Sequence, residues 1–322
     1  MVRFISRRFL EALAVILFMS FAIFGLIGLM PGDPIDIMIN ADPRLTSGDA
    51  NRLKSLYGLD RPIGERYINW FLSALSGDLG YSRVYTKPVI DILIPRLGNT
   101  VLLMSISLVL SLAIAIPLGL FTALNPYSRA DYTINLLCFA GISIPPFWMA
   151  LLLILCFAVI LGWLPAGGML TVGDGDTVDR LRHSVLPIFA LTITSVGIYT
   201  RFMRASVRET LHQDYIRTAR AKGLSESQVV IRHALRNSLI PLVTIVAINF
   251  GGLFSGALIV ETMFDWRGMG KTIYDAIMGN DFNLALSGLL FATGFTLFGN
   301  FLADICYAWL DPRINLNDGH EL

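Results

Sequence analysis

Long apolar runs alternate with charged segments along the chain, and charged residues bound almost every run. Because a helix needs about 20 apolar residues to cross the hydrocarbon core of a bilayer, we expect an all-α membrane protein with six membrane-spanning helices. The sequence GWLPAGG should end the third helix before its run is complete, since glycine and proline interrupt helices. The runs cover residues 12–30, 97–128, 132–173, 183–200, 237–260 and 282–310.

The first run follows Arg3, Arg7 and Arg8. A secretory signal peptide has a similar basic start, but its apolar core is only about 7–15 residues long and ends at a small-residue cleavage site. This run is longer and ends in the sequence MPGDP. We therefore expect an uncleaved first span whose N-terminus lies in the cytoplasm.

Residues 31–96 separate the first two runs and are polar, with several prolines and glycines. This composition predicts a small segment outside the membrane rather than another span. Within it, residues 65–75 have the pattern of a short amphipathic helix.

Composition supports the membrane assignment. The 322-residue chain is 54% hydrophobic and 15% charged, with a mean hydropathy of +0.63, whereas soluble domains carry roughly 25% charged residues. The formal net charge of +1 creates no field that favours a nucleic-acid partner. The odd number of cysteines and the spacing of the histidines predict no disulfide and no metal site. These residues are Cys138, Cys156, Cys306, His183, His212, His233 and His320.

Residues 201–241 form a basic stretch inside the apolar half of the chain. They contain eight of the 25 Lys and Arg residues but only three acids, Glu209, Asp214 and Glu226. Since cytoplasmic loops carry an excess of Lys and Arg, we expect this stretch and both chain termini in the cytoplasm. Composition alone leaves two roles open: a loop that a cytosolic partner grips, or a loop that only sets topology and contacts anionic lipid.

Two short helices joined by a sharp turn are predicted within the basic stretch. The first would present a low-relief surface at Ala219 and Ala221. Gly223 follows, and a glycine just past a helix end adopts the left-handed conformation at little cost. Ser225 and Gln228 match a capping box, so the second helix should begin there and lead into the fifth span.

Several prolines fall inside the predicted spans, where each removes a backbone donor and bends a helix. The sequence GISIPPFW at 141–148 is the most disruptive. Its bend could line a transport path or be a packing kink, and the sequence leaves both open. The prolines are Pro117, Pro145, Pro146, Pro187 and Pro241.

Two further features resemble sites of chemistry. The sequence RGMGKT at 267–272 looks like the end of a phosphate-binding loop, but Asp265 stands where that loop needs its first glycine. We expect its glycines to turn a short re-entrant or surface loop.

Asp304 is a carboxylate within the sixth run. Because that run is longer than a span needs, we expect Asp304 to anchor the helix near the cytoplasmic interface rather than to couple transport to protons.

The sequences TARAKGL at 218–224 and RHALRN at 232–237 closely resemble the cytoplasmic loop of bacterial ABC-importer permeases in the dipeptide, oligopeptide and nickel branch. The resemblance covers nearly the whole chain. Its other motifs are PGDP (31–34), GLDRP (58–62), GDLG (77–80), SIPPFW (143–148), GWLP (162–165) and DPR (311–313).

The general loop pattern of the superfamily is met only in part. Gly223 and Ala219 match its glycine and second alanine, whereas Arg217 and Thr218 replace its glutamate and first alanine. The positions of its Ile, Leu and Pro are occupied by His233, Leu235 and Arg236. We therefore expect the contact with an ATPase around residues 219–224 rather than at a glutamate.

The resemblance implies a type I ABC-importer transmembrane fold in four parts. Residues 1–30 would form the cytoplasmic N-terminus and first helix, and residues 31–96 an extracytoplasmic segment. Residues 97–310 would form the permease domain with a coupling loop at 201–237, and residues 311–322 a cytoplasmic tail. The coupling-loop residues expected to contact the ATPase are Arg217, Ala219, Arg220, Lys222, Gly223, Leu224, His233 and Leu235.

The same resemblance implies the partners. These are a second, related permease chain, two cytosolic subunits that bind and hydrolyse ATP, membrane lipid and an extracytoplasmic solute-binding protein. The solute-binding protein would dock on residues 31–97, 162–182 and 261–281. This chain would hold no catalytic group or cofactor of its own.

The expected function is ATP-driven peptide uptake across the bacterial inner membrane. Nickel chelates, glutathione and opine or sugar conjugates are alternative solutes of the same branch. An ATP-independent secondary transporter would favour paired intramembrane charges or inverted halves, and a membrane enzyme would need a cluster of reactive side chains. The sequence shows neither pattern.

Overall fold

The computed structural model of the protein describes residues 2–28, 61–173 and 175–310. In these ranges five helices are long and apolar enough to cross a membrane, and a sharply bent pair gives a sixth span if it counts as one. The predicted all-α membrane fold is confirmed. The helices are α1 Val2–Gly28, α2 Ile63–Leu75, α3 Val89–Leu124, α4 Arg129–Ser143, α5 Pro146–Leu153, α6 Thr177–Leu211, α7 Asp214–Ala221, α8 Glu226–Gln228, α9 Arg236–Ile248, α10 Phe250–Met263, α11 Met269–Met278 and α12 Phe282–Leu310.

Two π-helical turns complete this order. Ile154–Ile160 follows α5, and Val229–Leu235 joins α8 to α9. The predicted amphipathic helix at 65–75 is confirmed as α2. Predictions that fall on residues 29–60 and 311–322, which include the first part of the extracytoplasmic segment and the tail, lie outside the described residues.

The helices continue through charged residues at which the sequence predicted their ends. Helix α3 begins at Val89 instead of residue 97, with Asp91 in its first turn, where a carboxylate interacts favourably with the helix dipole. Helix α6 begins after an Asp176 cap and runs to Leu211. The part of the basic stretch from 201 to 211 is therefore the end of α6, whereas the sequence predicted that this helix ends at residue 200.

The third apolar run is broken where two prolines follow each other. Helices α4 and α5 meet at an angle of 105°. Ile144 and Pro145 both have extended backbone conformations, because a residue that precedes proline is pushed out of the helical region. The predicted disruption at 141–148 is thus confirmed as a sharp bend, with Pro146 opening α5 at a position where its missing N–H costs nothing.

The fifth apolar run also differs from its prediction as one helix ending at residue 260. Helix α9 ends at Ile248, and α10 begins after Asn249. Helix α10 continues past Glu261, which is fully buried and accepts a hydrogen bond from the Thr100 hydroxyl at 2.5 Å. A charged residue can lie in a buried part of a helix when its side chain has a hydrogen-bonded partner. The sequence alone does not show this partner, so the predicted helix ended before Glu261.

The predicted glycine-turned loop at 267–272 is wrong, because most of it belongs to α11. Gly268 caps this helix with φ −98°, and Gly270 is buried inside it. The Thr272 hydroxyl donates to the Gly268 carbonyl at 2.6 Å, and the Lys271 ammonium lies 3.0 Å from the Asp275 carboxylate. The lysine and threonine that made this sequence look like a phosphate-binding loop, Lys271 and Thr272, thus have partners within α11 itself.

The chain forms two compact units. The smaller unit contains the described part of Arg7–Asn99 and Gly268–Phe295. In it, α2 packs on α1 through a 2.8 Å hydrogen bond between the Ser20 and Tyr67 hydroxyls. The rings of Phe24 and Tyr67 also meet edge to face, with centroids 5.5 Å apart.

The larger unit contains Thr100–Arg267. Its core lies where α3, α6 and α9 meet, and α3 approaches α6 closely at Gly119. A Cβ atom at Gly119 would stand 2.6 Å from the Met203 Cβ, so only glycine permits this distance between the helices. The buried residues of this larger core are Ala115, Ala123, Tyr199, Met203, Val207 and Leu242.

Candidate functional site

The basic stretch forms a helical hairpin between α6 and α9, which we call the hairpin (residues 212–235). Its turn is built by Gly223, whose φ is +80°. The Gly223 N–H donates to the Arg220 carbonyl at 2.9 Å, and the Leu224 N–H points to the Ala219 carbonyl at 3.4 Å. This pair of bonds is the Schellman arrangement that ends a helix at glycine. The predicted left-handed glycine is confirmed.

The second arm of the hairpin begins at the predicted capping box. The Ser225 hydroxyl accepts from the Gln228 N–H at 3.4 Å, and the Gln228 side chain accepts from the Ser225 N–H at 3.2 Å. The two bonds satisfy backbone donors that would otherwise lack partners at a helix start. The glycine turn and the capping box together determine where the first arm ends and the second arm begins.

A small apolar cluster holds the two arms together. It consists of Ile216 and Ala219 from the first arm and Val229 and Ala234 from the second, with Leu211 of α6 packed against it. Ala219 is therefore buried between the arms, and its predicted place on a low-relief outer surface is wrong. Ala221, by contrast, is exposed. Alanine is needed at 219 because the arms pack closely there.

The basic residues of the first arm have different surroundings. Arg220 donates from Nε and Nη2 to both carboxylate oxygens of Glu226, at 2.7 and 3.2 Å. This hydrogen bonding raises the pKa of Arg220 and ties the arms across the glycine turn. Arg217 lies 3.5 Å from Asp214 with an exposed side chain, and Lys222 is exposed as well. Arg217 and Lys222 thus remain open to a partner, whereas Arg220 already has an intramolecular one.

His233 and Leu235 lie in the π-helical turn that continues into α9, and both are half-buried. Leu235 packs against the larger core. Leu211, at the end of α6, packs against both that core and the cluster of the hairpin. Apolar contacts therefore connect each arm of the hairpin to the membrane helix that continues it.

A buried polar contact joins α6 and α9 next to the hairpin, and sequence reasoning missed it. The Ser206 hydroxyl donates to the Ser238 carbonyl at 3.0 Å. The Ser238 hydroxyl lies 3.0 Å from the Thr210 hydroxyl and donates to the Ala234 carbonyl at 2.8 Å. Small hydroxyl residues at helical spacing were the available signal, because such residues often bond across membrane helices.

Two of the predicted outer segments lie together within the larger unit. The Gly168 N–H donates to the Phe264 carbonyl at 2.8 Å, and a Cβ at Gly167 would stand 2.7 Å from that oxygen. The Asp179 carboxylate accepts from the backbone N–H and hydroxyl of Thr171 at 2.5 and 2.8 Å. The contacts of Gly167 and Gly168 hold the 162–176 loop against the residue that follows α10, and the bonds between Thr171 and Asp179 hold it against the first turn of α6.

The remaining candidate residues form no cluster in the part of the chain that the structure describes. No group of three His, Cys, Asp or Glu side chains is close enough there to hold a metal ion. Cys138 and Cys156 are free thiols. Asp304 lies in α12 with a half-buried side chain, and its role as an interface anchor stays a prediction.

Several apolar spans with a basic helical hairpin between two of them define a multi-pass helical membrane protein. Residues 115–316 match the family described as "Binding-protein-dependent transport system inner membrane component". Residues 1–107 match the family's "membrane comp, N-term" region. The chain belongs to this family of ABC-importer permease subunits.

Relatives match over almost their whole length. The "Oligopeptide transport system permease protein AppB" of Bacillus subtilis (strain 168) is 38% identical over 98% of this chain and 99% of its own. The "Di/tripeptide transport system permease protein DppB" of Pseudomonas aeruginosa is 33% identical over the same shares. The Escherichia coli (strain K12) "Dipeptide transport system permease protein DppB" is 32% identical, again over 98% and 99%.

A solved structure shares the fold. It is a chain of the MetNI methionine ABC transporter in an inward-facing conformation, with a TM-score of 0.57 and 17% sequence identity. The match covers 69% of this chain and 97% of that chain. At this identity the likeness shows the fold alone.

Proposed function

We propose that this chain forms part of the path by which peptides enter a bacterial cell through the inner membrane. The observation that carries the proposal is the full-length similarity to relatives named as oligopeptide and dipeptide permeases, at 32–38% identity. A second, related permease chain would complete the path. Nickel chelates, glutathione and opine or sugar conjugates remain the alternative solutes.

The hairpin is the proposed contact for two cytosolic subunits that bind and hydrolyse ATP, while this chain itself holds no nucleotide and no cofactor. Its attachment supports this role, because its arms continue directly into α6 and α9 and pack on them through Leu211 and Leu235. A force on the hairpin would therefore reach two candidate spans at once. Arg217, Lys222 and Leu224 offer the exposed contact, whereas Ala219, Gly223 and the Arg220 pair shape it.

The proposed outer partner is a solute-binding protein that docks where the 162–176 loop meets the residues after α10. Tight contacts between Gly168 and Phe264 support a preformed surface there. With N- and C-termini in the cytoplasm, ATP would bind at the hairpin side and the solute would arrive from the opposite side. This arrangement is that of alternating access driven by ATP.

The experiment is uptake into proteoliposomes that contain both permease chains, the ATP-binding subunits and the loaded solute-binding protein. We expect uptake of a labelled peptide that requires ATP and is reduced by unlabelled peptides. Reduction by a nickel chelate or glutathione instead of peptides would reassign the solute. Uptake that continues without ATP would contradict the ATP-driven mechanism and favour a secondary transporter.

A further inference from the structure

A buried ion pair joins α4 to α6. Arg204 donates from Nε and Nη2 to the two carboxylate oxygens of Asp131, at 2.8 and 2.7 Å. Such bidentate pairs are directional as well as strong. The side chain of Asp131 is 4% exposed and that of Arg204 is 21% exposed. The two residues are 73 positions apart in sequence, so the ion pair connects two separate helices and is not a contact within one helix.

The Asp131 carboxylate is fully surrounded by donors. Besides Arg204, it accepts from the Tyr127 N–H at 2.9 Å and from the Asn135 side chain at 2.7 Å. Tyr127 has a φ of +63°, which is uncommon for a residue with a side chain. The carboxylate thus fixes the turn before α4, the start of α4 and the face of α6 together.

Two neighbouring arginines strengthen the same contact. Arg201 and Arg208 lie on the same face of α6 as Arg204, at helical spacing. The guanidinium carbon of Arg201 is 4.3 Å from the centroid of the Phe139 ring, and that of Arg208 is 5.5 Å from the centroid of the Tyr127 ring. These three basic residues are therefore directed at α4 and its preceding turn.

Close backbone contact continues beyond the arginines. A Cβ atom at Gly197 would stand 2.6 Å from the Cys138 carbonyl oxygen, and one at Gly141 would stand 3.1 Å from the Ile193 carbonyl oxygen. Helices α4 and α6 thus touch through glycines along one part of their contact and through charged side chains along the other. Such a contact resists both sliding and separation.

Helices α4 and α6 lead to different parts of the larger unit. Helix α4 continues through the 105° bend into α5, whereas α6 ends against the hairpin. We propose that the Arg204–Asp131 pair is a positioning element that makes the bent pair α4–α5 move with α6 when the hairpin is displaced. The proposal rests on the proposed function, because it takes the hairpin as the part that the ATPases move. The pair itself touches neither solute nor nucleotide.

The test compares Asp131→Asn, Arg204→Gln and Arg204→Lys with Arg7→Gln as the matched control. Arg7 forms an exposed pair with Glu11, at 2.9 Å in the smaller unit. The three natural cysteines are replaced by alanine, and spin labels are placed at Thr133 in α4 and Ala205 in α6, both exposed. Distances are measured by electron paramagnetic resonance in the full transport complex, without nucleotide and with trapped ATP. Peptide transported per ATP hydrolysed is measured in the same variants.

In the complex with the unaltered ion pair and in the Arg7→Gln control, the distance between the two spin labels should have one narrow distribution, the same in both nucleotide states. Asp131→Asn and Arg204→Gln should broaden the distribution of this label distance. They should also lower the number of peptides transported per ATP hydrolysed by about 10-fold, which is a typical size for the coupling between two sites, while ATP hydrolysis continues. Arg204→Lys should lie between, since lysine keeps the charge but not the bidentate geometry.

Unchanged distances and an unchanged transport ratio in Asp131→Asn and Arg204→Gln would overturn the proposal. Joint loss of transport and hydrolysis at unchanged distances would overturn it as well, because the pair would then act on something other than the α4–α6 contact. Failure of the proposed function looks different: the unaltered complex would transport no peptide. The label distances without nucleotide would still decide whether the pair holds α4 to α6.

Discussion

The hairpin and the α4–α6 contact each contain an arginine that binds a carboxylate with two hydrogen bonds, yet the two pairs differ in burial. In the hairpin, the side chains of Arg220 and Glu226 are 43% and 67% exposed. In the α4–α6 contact, Arg204 and Asp131 are mostly buried. The hairpin obtains its shape from a glycine turn, a cap and an apolar cluster, so its ion pair is an addition. The α4–α6 contact also packs through glycines, but each partner of its ion pair is buried, so removal of one leaves the other as a buried charge without compensation.

The largest expected effect on stability comes from removing the buried carboxylate. Asp131→Ala leaves Arg204 without its partner in a mostly buried place and removes the acceptor for the Tyr127 N–H. Breaking a buried pair on one side costs about 3 kcal/mol. The free energy of unfolding of the detergent-solubilised chain should fall by that amount, and Glu226→Ala should change it far less. Equal losses in the two variants would contradict the contrast between the pairs.

A smaller loss is expected when the apolar cluster of the hairpin is overfilled. Ala219 is 5% exposed between the arms, so Ala219→Leu should push them apart at a cost of about 1–3 kcal/mol. Protection of the hairpin amides against hydrogen exchange should decrease. Ala221→Leu, at an exposed position of the same helix, serves as the control and should leave that protection unchanged. Equal protection in the two variants would show that the cluster does not hold the arms.

Reversing the exposed charges of the hairpin should affect association rather than folding. Arg217→Glu and Lys222→Glu are expected to reduce co-purification of the ATP-binding subunits several-fold, since charges at the edge of an interface steer association. Arg220→Glu is less suitable, because it would also repel Glu226 and open the turn. Full recovery of the complex with both reversals would remove these residues from the contact.

The smallest effect is expected at Asp304. If this carboxylate anchors α12 at the membrane interface, Asp304→Asn should leave the dependence of peptide uptake on pH unchanged. Uptake measured across a pH series in proteoliposomes checks this expectation. Loss of a proton-dependent component would instead assign Asp304 to coupling, as intramembrane carboxylates often are.

Local features of the hairpin were predictable from sequence because neighbouring residues determine them. Gly223 follows a helix end, and Ser225 and Gln228 have the spacing of a capping box. Their conformations therefore required no knowledge of distant contacts. The bend at Pro145 and Pro146 was predictable for the same reason, although its angle was not.

Features that depend on distant partners were not predictable in this way. Charged residues suggested helix ends at 200 and 260, but the helices continue because partners elsewhere in the fold accommodate the charges. Glu261 bonds to Thr100, and Arg204 bonds to Asp131. The same reasoning placed Ala219 on the surface, since nothing local shows that the second arm folds back over it. Whether a small or charged residue of this chain is buried therefore depends on the contacts made by the whole fold and cannot be read from the sequence of its own segment.

The most direct measurement of the central claim, that the hairpin couples an ATPase to the membrane helices, is peptide uptake by Gly223→Val in the complete complex. Valine is strained at a φ of +80°, by roughly 1–2 kcal/mol, although no atom lies within 4 Å of its Cβ. Gly77→Val is the matched control, since Gly77 has a φ of +89° and equally open surroundings in the smaller unit. We predict that Gly223→Val abolishes uptake at normal protein levels while Gly77→Val retains it. Full uptake by Gly223→Val would contradict the claim.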